Sequence, residues 1–258
     1  MQNCAFCALS LCAIIAPMQT GNKTIGAFFD VDGTLYTANM WRGLMQYVAE
    51  RGGKARTRWY LARNLPYYYL RKLKLIGEED FRKPWVLALG GLVQGWNAAQ
   101  GDAAFRWVAE QYIQPTAQND VLARLREHVA QGHVVVLVSA MLAPTLKILG
   151  DALGATGVIG TAVEFADGRF TGRVIPPVCM GVEKERLARK WLDARGIALD
   201  FGASYAYADS ISDLDLLRMV GHPVAVYPDP QLAALALEKN WEVIGQSSDQ
   251  STRQSGDR

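Results

Sequence analysis

Several things are scarce in this chain, and each shortage closes off a class of function. No apolar run reaches the roughly 20 residues that a membrane-spanning helix needs. Histidine is rare: His128, His133 and His222 stand alone, without metal-ligand spacing. Of the four cysteines, Cys4, Cys7 and Cys12 crowd the start and Cys179 is isolated. Cys4-x-x-Cys7 has redox or zinc spacing, but no βαβ pattern surrounds it and no second ligand pair follows. The pattern therefore argues against a zinc site and for free thiols in a cytoplasmic protein. Net charge is only +2 over 258 residues, which gives no global case for a nucleic-acid partner. No Lys or Arg precedes Lys23, so residues 1–17, although apolar, lack the basic region of a secretory signal. They read as an extra segment ahead of the true start, Met18. The last stretch, 246–258, is polar and poor in apolar residues and reads as a disordered tail. No internal repeat is visible.

Acid is missing from one region in particular. Between Trp41 and Ile76, Glu50 is the only acid among many bases, and Trp59, Tyr60 and Tyr67 to Tyr69 lie among them. This basic, aromatic stretch falls in a long helical region, about 39–114. Gly52-Gly53 breaks the region, Pro66 is expected to kink or split it, and Glu78-Glu79-Asp80 suit a new helix start. Two readings of the stretch stand. It is either a helical hairpin with a core stripe and a solvated basic face, or a surface that meets anionic lipid or an acidic substrate. The second reading adds peripheral contact at the inner membrane face to an otherwise cytoplasmic location.

What is present is an alternation. Ile25 to Phe29 reads as a short buried strand. After residue 116, helices and strands alternate. Val121 to Ala130 is helical, and 133–140, HVVVLVSA, is a buried strand. A helix follows over 142–153. Residues 163–165 and 170–173 form a hairpin about Asp167-Gly168. Helix 182–194, strand 205–208, helix 214–220, strand 223–227 and helix 232–237 complete the series, with a last short strand at Val243-Ile244. Alternation of this kind implies an α/β core, a parallel sheet with helices on both faces. The core spans 18–37 and 116–245, and 38–115 forms a helical insert directly after the first strand.

Chemistry gathers at the strand ends. Asp30 and Asp32 follow the first strand in FFDVDGTL, and alternate strand residues point the same way. Two carboxylates aimed together repel, and need a cation, a shared proton or a substrate. In open α/β sheets ligands bind at that edge. Alone, D-x-D-G is equally well a surface turn. Ser139 ends the valine strand, where its hydroxyl and nearby N–H groups can hold a phosphate oxygen. Lys184 lies in the first turn of a helix, where a base opposes the helix dipole unless an anion compensates. Asp209 ends the strand at 205–208, and Asp213 follows at a helix start, where an acid can simply be a cap. Asp30, Asp32 and Asp209 make a hard-oxygen set suited to Mg²⁺.

These four segments, DVDGTL, VSA, CMGVEK and ADSISDLDLL, resemble in order the motifs of the haloacid-dehalogenase superfamily. The insert resembles that superfamily's C1 cap, and the whole is most similar to subfamily IB, which includes phosphoserine phosphatase. The resemblance implies a Rossmann-like core and Mg²⁺-dependent hydrolysis of a small phosphorylated substrate, lipid-like or metabolic. Asp30 would be the nucleophile, Asp32 the acid and base, and Asp30, Asp209 and the Asp32 backbone carbonyl the metal ligands. Ser139 and Lys184 would bind the phosphoryl group, with Asp213 in support. Where phosphoserine phosphatases place a glutamate near the substrate ammonium, this chain has Asn39. Phosphoryl transfer to another acceptor uses the same residues, and a non-catalytic docking module remains the alternative from another class.

Overall fold

The computed structural model describes residues 24–245. The expectations for 1–17 and for 246–258, and for the three early cysteines, fall outside the described residues. Among the described residues, Cys179 is free and buried.

The chain opens with β1 (Gly26–Phe29) and runs into a helical segment: α1 (Met40–Glu50), α2 (Lys54–Lys72), α3 (Glu78–Ala88), the short α4 (Gly90–Val93) and α5 (Ala98–Trp107). A π-helical turn over Val108–Ile113 carries α5 onward to α6 (Asn119–Ala130). Then come β2 (Val134–Leu142), α7 (Ala143–Leu153), β3 (Gly157–Ala166), β4 (Arg169–Ile175) and α8 (Val182–Asp193). The series closes with β5 (Tyr205–Ala208), α9 (Leu214–Arg218), β6 (His222–Val226), α10 (Pro230–Lys239) and β7 (Glu242–Ile244). The strands form one seven-stranded sheet in the order β4-β3-β2-β1-β5-β6-β7. Every pairing is parallel except β3 with β4. The α/β core with a helical insert after the first strand is thus the observed architecture.

β1 is the centre of the sheet. From it the chain winds outward to β2 on one side and β5 on the other, which makes the rim beyond β1 the point where strand order reverses. Strand alternation divides the apolar residues between the two faces. Ala27, Phe29, Val135 and Leu137 join one cluster, and Phe28, Val134, Val136 and Val138 the other. The first cluster continues without a break into the helical segment through Met40, Leu44, Leu92, Phe105 and Ile113.

Three details depart from the sequence reading. Pro66 does not split α2, which is continuous from Lys54 to Lys72. β3 is one ten-residue strand, parallel to β2 in its first half and paired with β4 in its second. The β3–β4 turn is as expected, with Asp167 at φ 49° and Gly168 at φ 74°, the geometry that suits tight hairpins. The third departure concerns the polarity of α2. Its buried residues are Thr57, Tyr60 and Asn64, and no apolar core stripe faces inward. Tyr60 donates from its hydroxyl to Trp85 O at 3.2 Å, and Asn64 Nδ2 donates to Tyr60 O at 2.8 Å.

Below the rim, β1 and β5 are joined by aromatic packing. Phe29 and Tyr207 stack with ring centroids 4.3 Å apart. His128, in the last turn of α6, sits against both, its Nε2 2.9 Å from Tyr207 Oη and its Nδ1 2.7 Å from His133 Nδ1. Burial, and then the neighbouring charges of His133 and Arg124, hold its pKa down at about 4 against an ordinary 6.5. The unfolded chain takes up this proton near pH 6.5, but the folded chain resists until about pH 4. The stabilisation from neutral His128 is therefore complete above pH 6.5 and is lost as the pH falls through that window. A shift of this size corresponds to about 3 kcal/mol. Urea denaturation of the wild type should show this loss from pH 6.5 downward, and His128→Gln should flatten it.

Candidate active site

The site is built where β1, β2 and β5 end side by side. Asp30 follows the last residue of β1, and its N–H donates to Tyr207 O at 2.9 Å, so the β1–β5 ladder fixes its backbone. Ser139 lies near the carboxyl end of β2, and Asp209 follows the last residue of β5. Lys184 comes from the first turn of α8, and Asp213 from a 3₁₀ turn, Ile211–Asp213, ahead of α9. All six residues singled out in the sequence, Asp30, Asp32, Ser139, Lys184, Asp209 and Asp213, line one small pocket.

Its innermost contact is a double ion pair. Lys184 Nζ lies 2.6 Å from Asp30 Oδ1 and 2.7 Å from Asp213 Oδ1, and all three side chains are only 5–6% exposed. Burial opposes the ammonium, but the carboxylates of Asp213 and Asp30 outweigh it and raise the Lys184 pKa. Asp213 makes no cap bond to its helix. Its partner is the lysine, which answers the sequence question of why a base sits at a helix start. Thr34 Oγ1 donates at 3.3 Å to Asp30 Oδ2 or to Asp209 Oδ1, and so stands between these two carboxylates.

Asp32 is placed differently. Its Oδ2 accepts from Ser139 Oγ at 3.1 Å, and its Oδ1 lies 3.5 Å from the N–H of Met40 at the start of α1. Partial burial first, and then the charge of Asp30, raise its pKa to about 6. A carboxyl poised there can give a proton and take one back near neutral pH. Ser139 also accepts from Met141 N at 3.0 Å, which holds its oxygen in place while the hydroxyl proton can still turn.

The turn that carries these groups needs glycine. Gly33 has φ +94°, and a Cβ there would collide with the Asp209 carboxylate. The N–H of Gly33 donates to Tyr36 O at 2.7 Å, and Gln118 Nε2 donates to the carbonyls of Gly33 and Thr34 at 2.6 and 2.8 Å. Asp229 steadies the other side of the pocket, accepting from Ile211 N at 2.8 Å. Neither Gln118 nor Asp229 stood out in the sequence. Nor did Arg82 of α3, which lines the pocket and makes no salt bridge among the described residues. Its charge lowers the pKa of Asp32 and of Asp213. Only its spacing on the helix after Glu78 hinted that it faces inward.

The donor set suits a divalent cation. Carboxylate oxygens of Asp30, Asp209 and Asp213 lie within 4.8 Å of one another, and they could hold Mg²⁺, which favours hard oxygen ligands. The Asp32 carboxylate, turned toward Ser139, is not one of these three. Lys184 alone cannot balance them, and the deficit is felt at Asp209, whose pKa is raised by burial and by repulsion from Asp30 and Asp213. The pocket adjoins a larger cleft of about 1030 Å³, with Trp41, Phe81, Trp85 and Met180 in its wall and Tyr68 and Arg71 at its α2 side.

The chain matches, over residues 27–218, the family described as haloacid dehalogenase-like hydrolase. A histidinol-phosphatase of Neisseria meningitidis serogroup C is 30% identical over 222 residues, covering 84% of this chain and 97% of its own length. A phosphoserine phosphatase of Mycobacterium tuberculosis is 30% identical over 226 residues, covering 85% and 70%. A solved structure of a protein of unknown function from Bordetella pertussis Tohama I superposes with a TM-score of 0.72 at 26% identity, over 87% of this chain and 99% of that one. A phospho-aspartyl intermediate analogue of phosphoserine phosphatase shares the fold, with a TM-score of 0.57 at 18% identity over 88% and 96%.

Removing the least compensated carboxylate tests the cation site directly. A raised carboxyl pKa costs stability as the pH rises above 3.8, because the unfolded chain releases there a proton that the folded chain retains. Asp209→Asn should therefore raise the Tm of the metal-free chain at neutral pH by about 2–4 °C, the shift that ~1 kcal/mol makes in a domain of this size. It should also remove the Tm increase that Mg²⁺ gives the wild type, as read by calorimetry with EDTA or with MgCl₂.

Proposed function

The chain belongs to the haloacid dehalogenase-like hydrolases and is a phosphatase of that family, and we propose that it hydrolyses an amphiphilic phosphomonoester through a phosphorylated Asp30. The observation that carries the reading is the meeting of Asp30, Asp32, Asp209 and Lys184 at one rim of the sheet.

The chemistry follows from what each group can reach. Asp30 is held by Lys184 at one oxygen and faces Thr34 at the other, so its carboxylate has a fixed aim. Attack on phosphorus forms an Asp30 O–P bond as the bond to the ester oxygen breaks, splitting one hard displacement into two easier ones. Asp32, protonated in part near neutral pH, gives its proton to the departing alkoxide. The Asp32 carboxylate then takes a proton from water as that water attacks phosphorus and Asp30 leaves as a carboxylate. Lys184, with the Ser139 hydroxyl turned from Asp32 to the substrate, supplies donors to the phosphoryl oxygens as charge collects there. A Mg²⁺ bound by Asp30, Asp209 and the Asp32 carbonyl, with Asp213 in support, would neutralise the charge that otherwise repels an anionic ester from the nucleophile. Residues 38–115 act as the cap that covers the rim.

Substrate class is read from the cleft. At about 1030 Å³ it is at the upper end of the roughly 300–1,000 Å³ that drug-sized ligands occupy, more than a small polar ester needs. Its wall carries the indoles of Trp41 and Trp85, the ring of Phe81 and the thioethers of Met40 and Met180. At the position after which an acid would meet an ammonium, Asn39 instead accepts from Trp41 Nε1 at 3.3 Å. The cleft thus presents apolar wall beyond the phosphate, with Arg82 as the cation between cleft and pocket.

A release assay with Mg²⁺ over lysophosphatidate, phosphoserine, histidinol phosphate and sugar phosphates tests the reading. Lysophosphatidate should have the highest kcat/KM, and a preference for the sugar phosphates would overturn the amphiphile. Added acceptor alcohols should not divert the phosphoryl group from water. Asp30→Asn should abolish turnover and the acid-stable labelling of the chain by substrate phosphorus. Asp32→Asn should lower kcat by about 10²–10⁴, and Arg82→Ala should act chiefly on KM.

A further inference from the structure

The helix α2 is inside out. Its buried stripe, Thr57, Tyr60 and Asn64, is the polar one, and all three donate to backbone carbonyls within the helical segment. At 100° per residue the opposite face carries Trp59, Ala62, Pro66, Tyr69 and Leu73, spaced three and four residues apart, and each of them is exposed. Trp59 is 52% exposed, Tyr69 54% and Leu73 68%, and Leu75, just past the helix end, 67%. Solvent-facing stripes of globular proteins are ordinarily polar, and a contiguous apolar one marks a contact surface.

The charges around the stripe say what it contacts. From Arg51 to Gly77 there is no acid at all. Arg58 and Lys72 flank the stripe on one side and Arg63 on the other, with Arg63 lying over the Trp59 ring at 5.3 Å, and Lys74 follows at the tip. Lys54, Arg58, Lys72 and Lys74 make no salt bridge within the described residues, although carboxylates are plentiful elsewhere on the surface. A second copy of the chain would set these bases against one another across a symmetric contact. An acidic protein would satisfy the charges but not by itself a long stripe of tryptophan, tyrosine and leucine. An anionic lipid surface satisfies both, with indole and phenol rings at the headgroup level, the stripe in the acyl boundary and the bases among lipid phosphates.

We propose that α2 lies in the plane of an anionic membrane with Trp59, Tyr69 and Leu73 inserted and the flanking bases on headgroups. The attachment is peripheral, since among the described residues no helix is long and apolar enough to cross a membrane. It also has a direction. Tyr68, whose ring meets that of Tyr69 edge-on at 5.6 Å, lines the cleft that adjoins the catalytic pocket. The inserted face and the mouth of the cleft are therefore neighbours, and an amphiphile leaving the bilayer has a short path to the rim.

Flotation of the full chain with vesicles of equal parts phosphatidylcholine and phosphatidylglycerol, and of phosphatidylcholine alone, tests this. The wild type should float with the anionic vesicles at low salt, much less with the neutral ones, and not at ~1 M salt, where the Debye length falls to about 3 Å. The triple variant Trp59→Ser, Tyr69→Ser, Leu73→Ser should lose at least about tenfold in partition, and Arg58→Gln with Lys72→Gln and Lys74→Gln about fivefold per base. Neither set lines the cleft, so turnover of p-nitrophenyl phosphate with Mg²⁺ should be unchanged in both, and it reports folding as well. Should the serine variant lose that turnover, the glutamine variant decides alone. No flotation of the wild type, equal flotation of wild type and variants, or a wild-type dimer in light scattering that the serine variant breaks would overturn the proposal. Because p-nitrophenyl phosphate reads the catalytic rim without lipid, a failed flotation leaves the phosphatase reading intact, and a dead rim leaves the docking result intact.

Discussion

One buried ammonium holds the site together. Lys184 contacts Asp30 and Asp213 at 2.6 and 2.7 Å where almost no water reaches. Leaving any of these charges unpaired there would cost several kcal/mol per ion. The fold meets that constraint by bringing the start of α8 against the rim. At its N-terminus Gly181 adopts φ +54°, ψ −138°, a backbone conformation suited to glycine, and the lysine then reaches inward from the third helical position. The pairing in turn leaves Asp209 short of countercharge, so the same constraint that fixes the Asp30 carboxylate leaves a set of oxygens that could hold a divalent cation.

The rim was readable in the sequence because each of its residues ends a strand or begins a helix. Asp30, Ser139 and Asp209 follow runs whose apolar character marks them as buried strands, and adjacent parallel strands bring their ends together. Lys184 was betrayed by an unfavourable place on its helix dipole. What could not be read was long-range partnership. Gln118 holds the Gly33 turn across 85 residues, and nothing near Gln118 distinguishes it from a surface glutamine. Arg82 faces the pocket only because α3 folds back over the rim. The contact of the Asp32 carboxylate with Ser139 is likewise a rotamer choice that strand alternation does not determine.

The helix α2 shows where periodicity misleads. Apolar residues three and four apart are ordinarily the buried side of a helix, and one of the two readings of this stretch places a core stripe inward and the bases outward. Here Thr57, Tyr60 and Asn64 are inside instead: Thr57 and Asn64 donate to carbonyls of α2 itself, and Tyr60 donates to Trp85 O of the neighbouring α3, whose ring lies 5.7 Å from its own. The donors of this thin polar seam are paired with backbone carbonyls, while Asn64 Oδ1 is buried without a hydrogen-bond partner. The pattern alone carries the period of the helix but not which side turns inward.

The helical segment leaves and re-enters the core at a single clasp. Tyr36 bridges Ala117, Thr37 N donates to Thr116 O at 3.1 Å, Ala38 N donates to the Thr116 hydroxyl at 3.1 Å, and Gln118 closes on the Gly33 turn. Whatever lies between the two sides of this clasp can change in length or lining without moving Asp30. For a lineage of such proteins, new preferences for what is bound can be acquired by drift in the loop of helices alone, while the bond-breaking apparatus is inherited untouched.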